Sequence, residues 1–570
     1  IFAIARQNFF CYYTFKDFLG VVYMNITTCW VSSLEKIFPE QSLAEHEVLC
    51  GSALRGERFN VQLAFRADDG LRDDFFVEWE SDLKESIRCY QVQSVPVRLV
   101  KYKWADDDFL SDKPGLYPDL LEICSGRAEY SPGFWSCLWF EITVPENARA
   151  GEHKLCVTLK NEAEPECTAE ASFSLTVLPA ALPPQRLIHT EWFHCDSLAV
   201  YYGTEVFSER HWEIIGNYIR QAAYYGVNML LTPLFTPPLD TAVGSERPTV
   251  QLVDIYHSKD GYSFDFSKLE RYIKLALDCG IKYFEFPHLF TQWGSEHAPK
   301  IIVTENGRSS RRFGWETNAD SAEYAEFLQS FLPAVKSFMQ EKNLLDKCLF
   351  HISDEPDEKH IESYRKAVQT VLPLLKGCKT IDALSEYSLY DEGLVQIPVP
   401  DNEHAEEFYR KGVSERWIYY CCGQLNRVCN RMIAMPSYRN RALGLQLFRY
   451  QISGFLHWGY NYWFNFLSRK PINPFFTTDA GQNFPAGDPF LVYPGNDGKP
   501  MPSIRQLVLF DALQDLRALQ LLAEAEGFEK TAEWLDSEIG YKISFTDYPR
   551  STKDFYELRE AVNRRICDIL

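Results

Sequence analysis

Two adjacent carboxylates, Asp354 and Glu355, stand directly after an apolar run in the segment CLFHISDEPDEKH. Two such groups suit glycoside cleavage, in which one carboxylic acid protonates the leaving oxygen and a second group stabilises positive charge at the anomeric carbon. The same pattern, with Pro356 next, is also typical of a helix N-terminus, where the helix dipole favours acidic residues. The two interpretations are compatible, because a helix N-terminus can carry catalytic acids.

A second chemical signal is the aromatic stretch HWGYNYWFNF at residues 457–466. An ordinary core strand explains its rings, but strand alternation would place about half of them on the inside or at the mouth of the barrel. Trp458 and Trp463 are the candidates for binding a sugar. Asn461 is the unusual member. A buried amide needs hydrogen-bond partners, and a sugar hydroxyl or acetamido group could supply them.

The elements that must position these residues alternate between apolar strands and amphipathic helices. Eight strand segments over about 280 residues match the size and rhythm of a (β/α)8 barrel. A doubly wound sheet is the competing fold, and no strand is followed by the Gly-rich phosphate loop that would favour it. The predicted strands cover 187–194, 228–235, 282–290, 348–355, 379–386, 394–399, 416–422 and 454–464.

In such a barrel the active site lies at the C-terminal ends of the strands. Those ends are rich in carboxylates and indoles, a mixture that suits a sugar, whose C–H faces pack on rings while its hydroxyls bond to polar groups. Four histidines near these ends lack the spacing of a local metal site, so we predict no metal and no cofactor. The predicted substrate-binding residues are Trp192, His194, Asp196, His288, Trp293, Trp458, Tyr460, Asn461 and Trp463.

The N-terminal part has a different pattern, with short alternating runs and turn residues that indicate a β-sandwich. The Pro-rich connector LPAALPPQR at 178–186 marks the change. We therefore predict a β-sandwich over residues 1–180, a catalytic barrel over 181–525 and a helical extension over 526–570. The clearest sandwich strands are RFNVQLAF (58–65), SVPVRLVKY (94–102), SCLWFEITV (136–144), HKLCVTLK (153–160) and ASFSLTVL (171–178).

Composition excludes several functional classes. Of the 570 residues 46% are hydrophobic, enough for a folded core, and the net charge of −21 repels phosphate backbones and anionic lipid. We expect neither a nucleic-acid partner nor membrane insertion. Sixteen cysteines without C-x-x-C spacing favour reduced thiols and a cytoplasmic location, although the chain begins with Ile1 and a removed signal peptide stays an open alternative.

Three groups of residues carry a family resemblance: SDEP at a strand end, HWGYNYW near the last strand, and GDPFLVYPGNDGKPMPSIRQLVLFDALQDLRAL at 487–519. Upstream, TEWFHCDSLA, RGERFNVQLAF and GLYPDLL fit the N-terminal part of the same pattern. Together they resemble the domain of unknown function 4091 and its characterised relatives, glycoside hydrolase family 123. The resemblance covers nearly the whole chain.

The resemblance implies a β-sandwich followed by a barrel that acts as an exo-β-N-acetylgalactosaminidase on a glycan or glycoconjugate. In that scheme the 2-acetamido oxygen of the substrate is the nucleophile. Asp354 would orient the acetamido group, and Glu355 would act first as general acid and then as base toward water.

Two other functions stay open on the sequence. One is a retaining glycosidase in which Glu355 is the acid/base and Asp382 or Glu386 is the nucleophile. The other is a non-catalytic carbohydrate-binding barrel, which the presence of both carboxylates disfavours. The sequence predicts neither the linkage, nor the sugar beyond the scissile bond, nor the oligomeric state.

Overall fold

The computed structural model describes residues 25–43, 45–68, 74–161, 167–292, 294–356 and 358–569. Its N-terminal part contains two five-stranded sheets, with strand orders β1-β3-β8-β5-β6 and β2-β10-β9-β4-β7. All neighbours are antiparallel except β2 and β10. The strands are β1 Ile26–Ser32, β2 Cys50–Arg55, β3 Arg58–Ala67, β4 Phe75–Glu80, β5 Ile87–Val97, β6 Gly115–Ile123, β7 Arg127–Ala128, β8 Ser136–Thr143, β9 Gly151–Asn161 and β10 Thr168–Ala181.

The two sheets share one hydrophobic cluster. The ring of Trp30 on β1 lies 5.5 Å from that of Phe173 on β10, and the ring of Trp79 lies 6.0 Å from that of Phe140. Each strand segment named from the sequence overlaps a strand of these sheets. The connector begins later than predicted, because β10 continues through Pro179 to Ala181. The pairing of β10 with β2 is irregular between Val177 and Ala181, and a sheet tolerates proline at such an irregularity.

Beyond Ala181, eight short parallel strands form a nearly closed barrel. They pair in the order β20-β19-β18-β15-β12-β11-β22-β21, so each strand lies beside its neighbours in the chain. The remaining strands are β11 Ile188–Glu191, β12 Met229–Leu231, β13 Asp254–Ser258, β14 Gly261–Asp265, β15 Tyr283–Phe286, β16 Ile301–Glu305, β17 Arg308–Phe313, β18 Cys348–Phe350, β19 Lys379–Ala383, β20 Ile397–Val399, β21 Trp417–Tyr419, β22 Gly454–His457, β23 Tyr493–Pro494 and β24 Pro500–Met501.

The gap between β20 and β21 is bridged at the ends of the two strands. The amide of Tyr419 donates to the carbonyl of Pro400 at 3.0 Å, and the amide of Asn402 donates to the carbonyl of Tyr419 at 3.1 Å. All eight barrel strands fall inside the segments predicted from sequence. This order and the near closure exclude the doubly wound sheet.

Helices separate consecutive barrel strands along the chain. Two of them are followed by a glycine in the left-handed conformation, Gly226 with φ of +90° and Gly280 with φ of +102°. No described helix is both long and apolar enough to cross a membrane. The helices are α1 Cys195–Tyr202, α2 Glu209–Tyr224, α3 Ser267–Asp278, α4 Ala322–Glu341, α5 Ile361–Val371, α6 Tyr387–Asp391, α7 Ala405–Arg410, α8 Ser437–Arg449, α9 Ile504–Glu526, α10 Phe528–Ile539 and α11 Thr552–Ile569.

Two features differ from the sequence-based expectation. Pro356 does not begin an α-helix: a 3-10 turn follows at 358–360 and α5 begins at Ile361, so the two carboxylates do not stand at an α-helix N-terminus. A four-stranded sheet, β14-β13-β16-β17, was also not predicted. Three of its strands, β13, β14 and β17, are short, mostly exposed or half-buried, and lack the apolar runs on which the strand assignment relied.

Helix α9 joins the barrel to the N-terminal sheets. It packs closely on α8, since a Cβ at Gly444 would lie 2.1 Å from the carbonyl oxygen of Ala512. At its first turn, Arg505 Nε and Nη2 bond to Asp119 of β6 at 2.9 and 3.0 Å. Both side chains are buried, and the hydrophobic cluster around them contains residues of the sheets and of the barrel.

Candidate active site

The carboxylate pair lies in the segment that follows β18, at the C-terminal end of that strand. Glu355 has a φ of +46°, in the left-handed region, which costs a residue with a side chain about 1 kcal/mol or more. Its amide donates to the carbonyl of Ala383 at the end of β19, at 3.2 Å. This bond to the neighbouring strand holds the unusual backbone turn and fixes where the Glu355 side chain begins.

Both carboxylates line an open pocket. The lining comes from the ends of several barrel strands and the loops after them, which is where barrel enzymes place their active sites. The lining residues are Trp192, Leu239, Asp240, Gln292, Asp354, Glu355, Ala383, Tyr419, Cys421, Cys422, Leu456, Trp458 and Phe484.

The electrostatics of the pair favour retention of a proton. Burial and the adjacent charge of Glu355 raise the pKa of Asp354 well above its ordinary value. Tyr419, at the end of β21, donates from its hydroxyl to Oε1 of Glu355 at 2.8 Å. Two neighbouring carboxyl groups in a buried place cannot both ionise easily, so the pair can supply the proton that an acid catalyst needs.

A layer of buried charge lies beneath the pair. His351 bonds to Glu285 through Nε2 and to Asp382 through Nδ1, the latter at 3.3 Å. These bonds outweigh the effect of burial and raise the pKa of His351 to about 10. Glu285 also accepts from Nε1 of Trp192 at 2.8 Å, so the charged layer fixes the indole that forms one wall of the pocket.

His288 belongs to the same layer and stacks on His351 with ring centroids 4.4 Å apart. Burial and the positive charge of His351 lower the pKa of His288 well below its ordinary value, so its ring is neutral. Its Nε2 lies 4.0 Å from Oδ1 of Asp354. His288 therefore contacts the Asp354 side of the carboxylate pair from the barrel interior, and it does not line the pocket.

A second wall is fixed by another buried network. Trp458 donates from Nε1 to Asp488 at 3.0 Å. Deeper in the barrel, Arg431 bonds to both oxygens of Glu191 at 2.6 and 2.8 Å, and its charge outweighs desolvation and lowers the pKa of Glu191 to about 2. The two indoles of the pocket, Trp192 and Trp458, are thus both held by hydrogen bonds to buried carboxylates.

Several predicted substrate-binding residues lie elsewhere. Asn461 bonds to the backbone of His194 through both atoms of its amide, at 2.9 and 3.1 Å, and so finds its partners inside the protein. Asp196 forms a bidentate ion pair with Arg247 at 2.7 and 2.8 Å. These residues position the loop after β11, and they do not line the pocket.

Tyr460 and Trp463 are buried, with relative exposures of 0% and 1%. Tyr460 packs on Phe193, and Trp463 contacts Tyr201 and Tyr218 edge to face. They lie in the core, as the alternative interpretation of the aromatic stretch allowed. Trp293 falls outside the described residues. Of the nine predicted substrate-binding residues, Trp192 and Trp458 line the pocket with the carboxylate pair.

Sequence reasoning missed the pocket residues Tyr419, Cys421, Cys422 and Phe484, among others. The first three end or follow the predicted strand 416–422, so the rule that directs attention to strand ends could have found them. Phe484 lies in a long loop after β22 and has no local signal. Among the described residues, no three or more His, Cys, Asp or Glu side chains are grouped so as to hold a metal ion.

Comparisons with known proteins agree on one family. A model of the catalytic domain of glycoside hydrolase 123 matches residues 192–522, more than half of the chain. A solved family 123 glycoside hydrolase from Clostridium perfringens, studied for glycolipid glycan hydrolysis, superposes with a TM-score of 0.71 at 15% identity, over 95% of this chain and 98% of that one. No curated protein matches in sequence.

Other solved structures match only a part of the chain. A β-glucosidase from Listeria innocua in complex with isofagomine is 14% identical and covers 28% of this chain and 17% of its own, with a TM-score of 0.13. Similarity at that level carries no argument about fold or function.

Proposed function

Since the chain belongs to glycoside hydrolase family 123, and is therefore an enzyme that acts on a glycan, we propose that it removes a terminal β-linked N-acetylgalactosamine by substrate-assisted catalysis. The single observation that carries the proposal is the adjacent pair Asp354 and Glu355 in one pocket with Trp192 and Trp458. The pair offers two carboxyl groups, and the half-buried indole of Trp458 offers a face for a sugar ring, with the buried Trp192 behind the pocket wall.

In the first step the acetamido oxygen of the substrate attacks the anomeric carbon and the glycosidic bond breaks. Glu355 gives its proton to the leaving oxygen, while Asp354 orients the acetamido N–H and balances the positive charge of the oxazoline-like intermediate. In the second step Glu355 removes a proton from water as the water oxygen attacks the same carbon. The oxazoline ring opens and restores the acetamido group, and the configuration at the anomeric carbon is retained.

The alternative with Asp382 as the protein nucleophile is less well supported. Asp382 does not line the pocket, and its carboxylate accepts from the Ile352 amide at 3.0 Å and from the Tyr364 hydroxyl at 2.6 Å. An oxygen committed to buried donors is a poor nucleophile unless those bonds break.

The deciding experiment compares two kinds of inhibitor. A galacto-configured thiazoline, which mimics the cyclic intermediate, should inhibit competitively with an inhibition constant far below the substrate KM, and more strongly than the gluco form. A 2-fluoro sugar should not label the protein. Covalent labelling of a carboxylate by the 2-fluoro sugar, together with no thiazoline inhibition, would show that the protein supplies the nucleophile.

A further inference from the structure

Trp104 is the most exposed tryptophan among the described residues, with 61% of its surface accessible. It does not project freely: its ring stacks on that of Tyr102, with centroids 4.5 Å apart and planes 30° apart. A tryptophan usually buries most of its surface, so a ring that is held flat and left open offers a large apolar face to a ligand.

The segment that carries Trp104, residues 98–112, is here called the rim arm. It leaves the N-terminal sheets between β5 and β6 and lies against loops of the barrel. Charged contacts fix it along its length, since Arg439 bonds to Asp106 at 2.7 Å and Arg550 bonds to Asp108 at 2.7 Å. A platform that is already fixed loses little conformational entropy when a ligand binds.

The rim arm meets the barrel at the edge of the catalytic pocket. Tyr102 donates from its hydroxyl to the carbonyl of Asn483, next to the pocket residue Phe484. Trp104 donates from Nε1 to the carbonyl of Gly423 at 3.5 Å. The open indole face therefore lies one residue beyond the pocket wall.

The pocket wall next to Trp104 is on the same side as Glu355, the proposed general acid. Tyr419, which bonds to Glu355, stands two residues before Cys421 on the same strand end, and that segment continues to Gly423 under Trp104. Because Glu355 protonates the leaving oxygen, the group attached to that oxygen leaves the pocket on this side. Trp192 and Trp458 remain for the sugar that is cleaved off.

We infer that Trp104, stacked on Tyr102, is a binding platform for the aglycone, and that the aglycone is a second pyranose whose C–H face packs on the indole. The inference rests on the proposed role of Glu355 as general acid. It means that the N-terminal part of the chain contributes directly to substrate choice and favours a terminal sugar linked to another sugar over one linked to a small alcohol.

The test compares a β-linked disaccharide with the methyl β-glycoside of the same terminal sugar, since both have alkyl leaving groups. Trp104→Ala should lower kcat/KM for the disaccharide about tenfold, mainly through KM, and change the methyl glycoside less than twofold. Trp104→Phe should recover most of the loss. Phe134→Ala, which removes another exposed ring of the N-terminal part, should change neither substrate.

Equal losses on both substrates, or no loss on the disaccharide, would overturn the platform. The disaccharide and the methyl glycoside are each prepared in two forms, one with N-acetylgalactosamine and one with galactose as the terminal sugar. The role of Trp104 is tested with whichever terminal sugar the wild-type enzyme cleaves. Which donor is cleaved tests the proposed function separately. Circular dichroism reports folding of each variant independently of turnover, so a misfolded Trp104→Ala protein is recognised and Trp104→Phe then decides.

Discussion

The hydroxyl of Tyr419 donates to Oε1 of Glu355 at 2.8 Å, and so links the carboxyl group after β18 to the end of β21. Because Tyr419 also makes the backbone bonds that bridge β20 and β21, the near closure of the barrel and the orientation of the proposed acid depend on one residue.

Glu355→Gln tests the general acid. We expect the variant to lose about a hundredfold or more in kcat on substrates with alkyl leaving groups and less than about tenfold on activated phenols, which need little protonation. Steady-state rates on a series of aryl and alkyl glycosides measure this. A uniform loss across the series would count against the role of Glu355.

Asp354→Asn should lower turnover on both kinds of leaving group, because Asp354 acts on formation of the cyclic intermediate. A loss of about a hundredfold, similar for phenol and alkyl substrates, is expected from removal of one charge-stabilising group. The same substrate series provides the measurement, with Glu355→Gln as the comparison. Near wild-type activity of Asp354→Asn on an acetamido substrate would refute the assignment.

The raised pKa of Asp354 also predicts a pH-dependent change in stability. The native state holds this proton more tightly than the unfolded chain, so the wild-type protein loses stability as pH rises from the ordinary Asp value through the native pKa. Asn cannot ionise. Asp354→Asn should therefore match wild type near pH 4 and gain on the order of 1 kcal/mol of unfolding free energy at pH 8. Denaturant unfolding at the two pH values would show no such divergence if the pKa of Asp354 were ordinary.

His351 also stabilises the native state less as pH rises. Its pKa is raised to about 10 by Glu285 and Asp382, so its stabilising contribution is complete below about pH 6.5 and is lost as pH rises through 10. His351→Asn should cost about 3–5 kcal/mol of unfolding free energy at pH 6, because it leaves buried carboxylates unpaired, and less at pH 10.

The matched control for that measurement is His46→Asn. His46 forms a 3.2 Å pair with Glu35 but is 38% exposed, so its removal should cost less than about 1 kcal/mol. A penalty for His351→Asn that does not depend on pH would indicate a loss of packing rather than of charge.

Cys421 and Cys422 are adjacent, their side chains interact, and both line the pocket. Phenylarsine oxide should inhibit by forming two As–S bonds with release of water, and a small dithiol should reverse the inhibition. The pKa of the Cys421 thiol is raised by its bond to Cys422 and by burial, so iodoacetamide should react slowly.

Cys421→Ser should abolish the inhibition by phenylarsine oxide, whereas Cys567→Ser, at an exposed site, should not. Inhibition that survives in Cys421→Ser would place the reactive thiols elsewhere.

Local sequence patterns predicted the eight barrel strands and the carboxylate pair, because apolar runs and strand ends are local properties. They could not reveal which partner satisfies a buried group. Asn461 was singled out because its amide needs partners, and those partners are the backbone of His194. Trp104 could not be connected with the pocket, because its contact with Gly423 joins residues 319 positions apart in the chain.

The pairing of Arg505 with Asp119 limits how this barrel can be recombined during evolution. The guanidinium also donates to the carbonyls of Gly487 and Phe490, so it cannot turn toward water without breaking its bonds to the loop before α9. A gene fusion that joined this barrel to a different N-terminal module would inherit a buried cation without its counter-ion, at a cost of several kcal/mol. The two halves are therefore expected to descend together, and an exchange would require a carboxylate at the equivalent place in the new module.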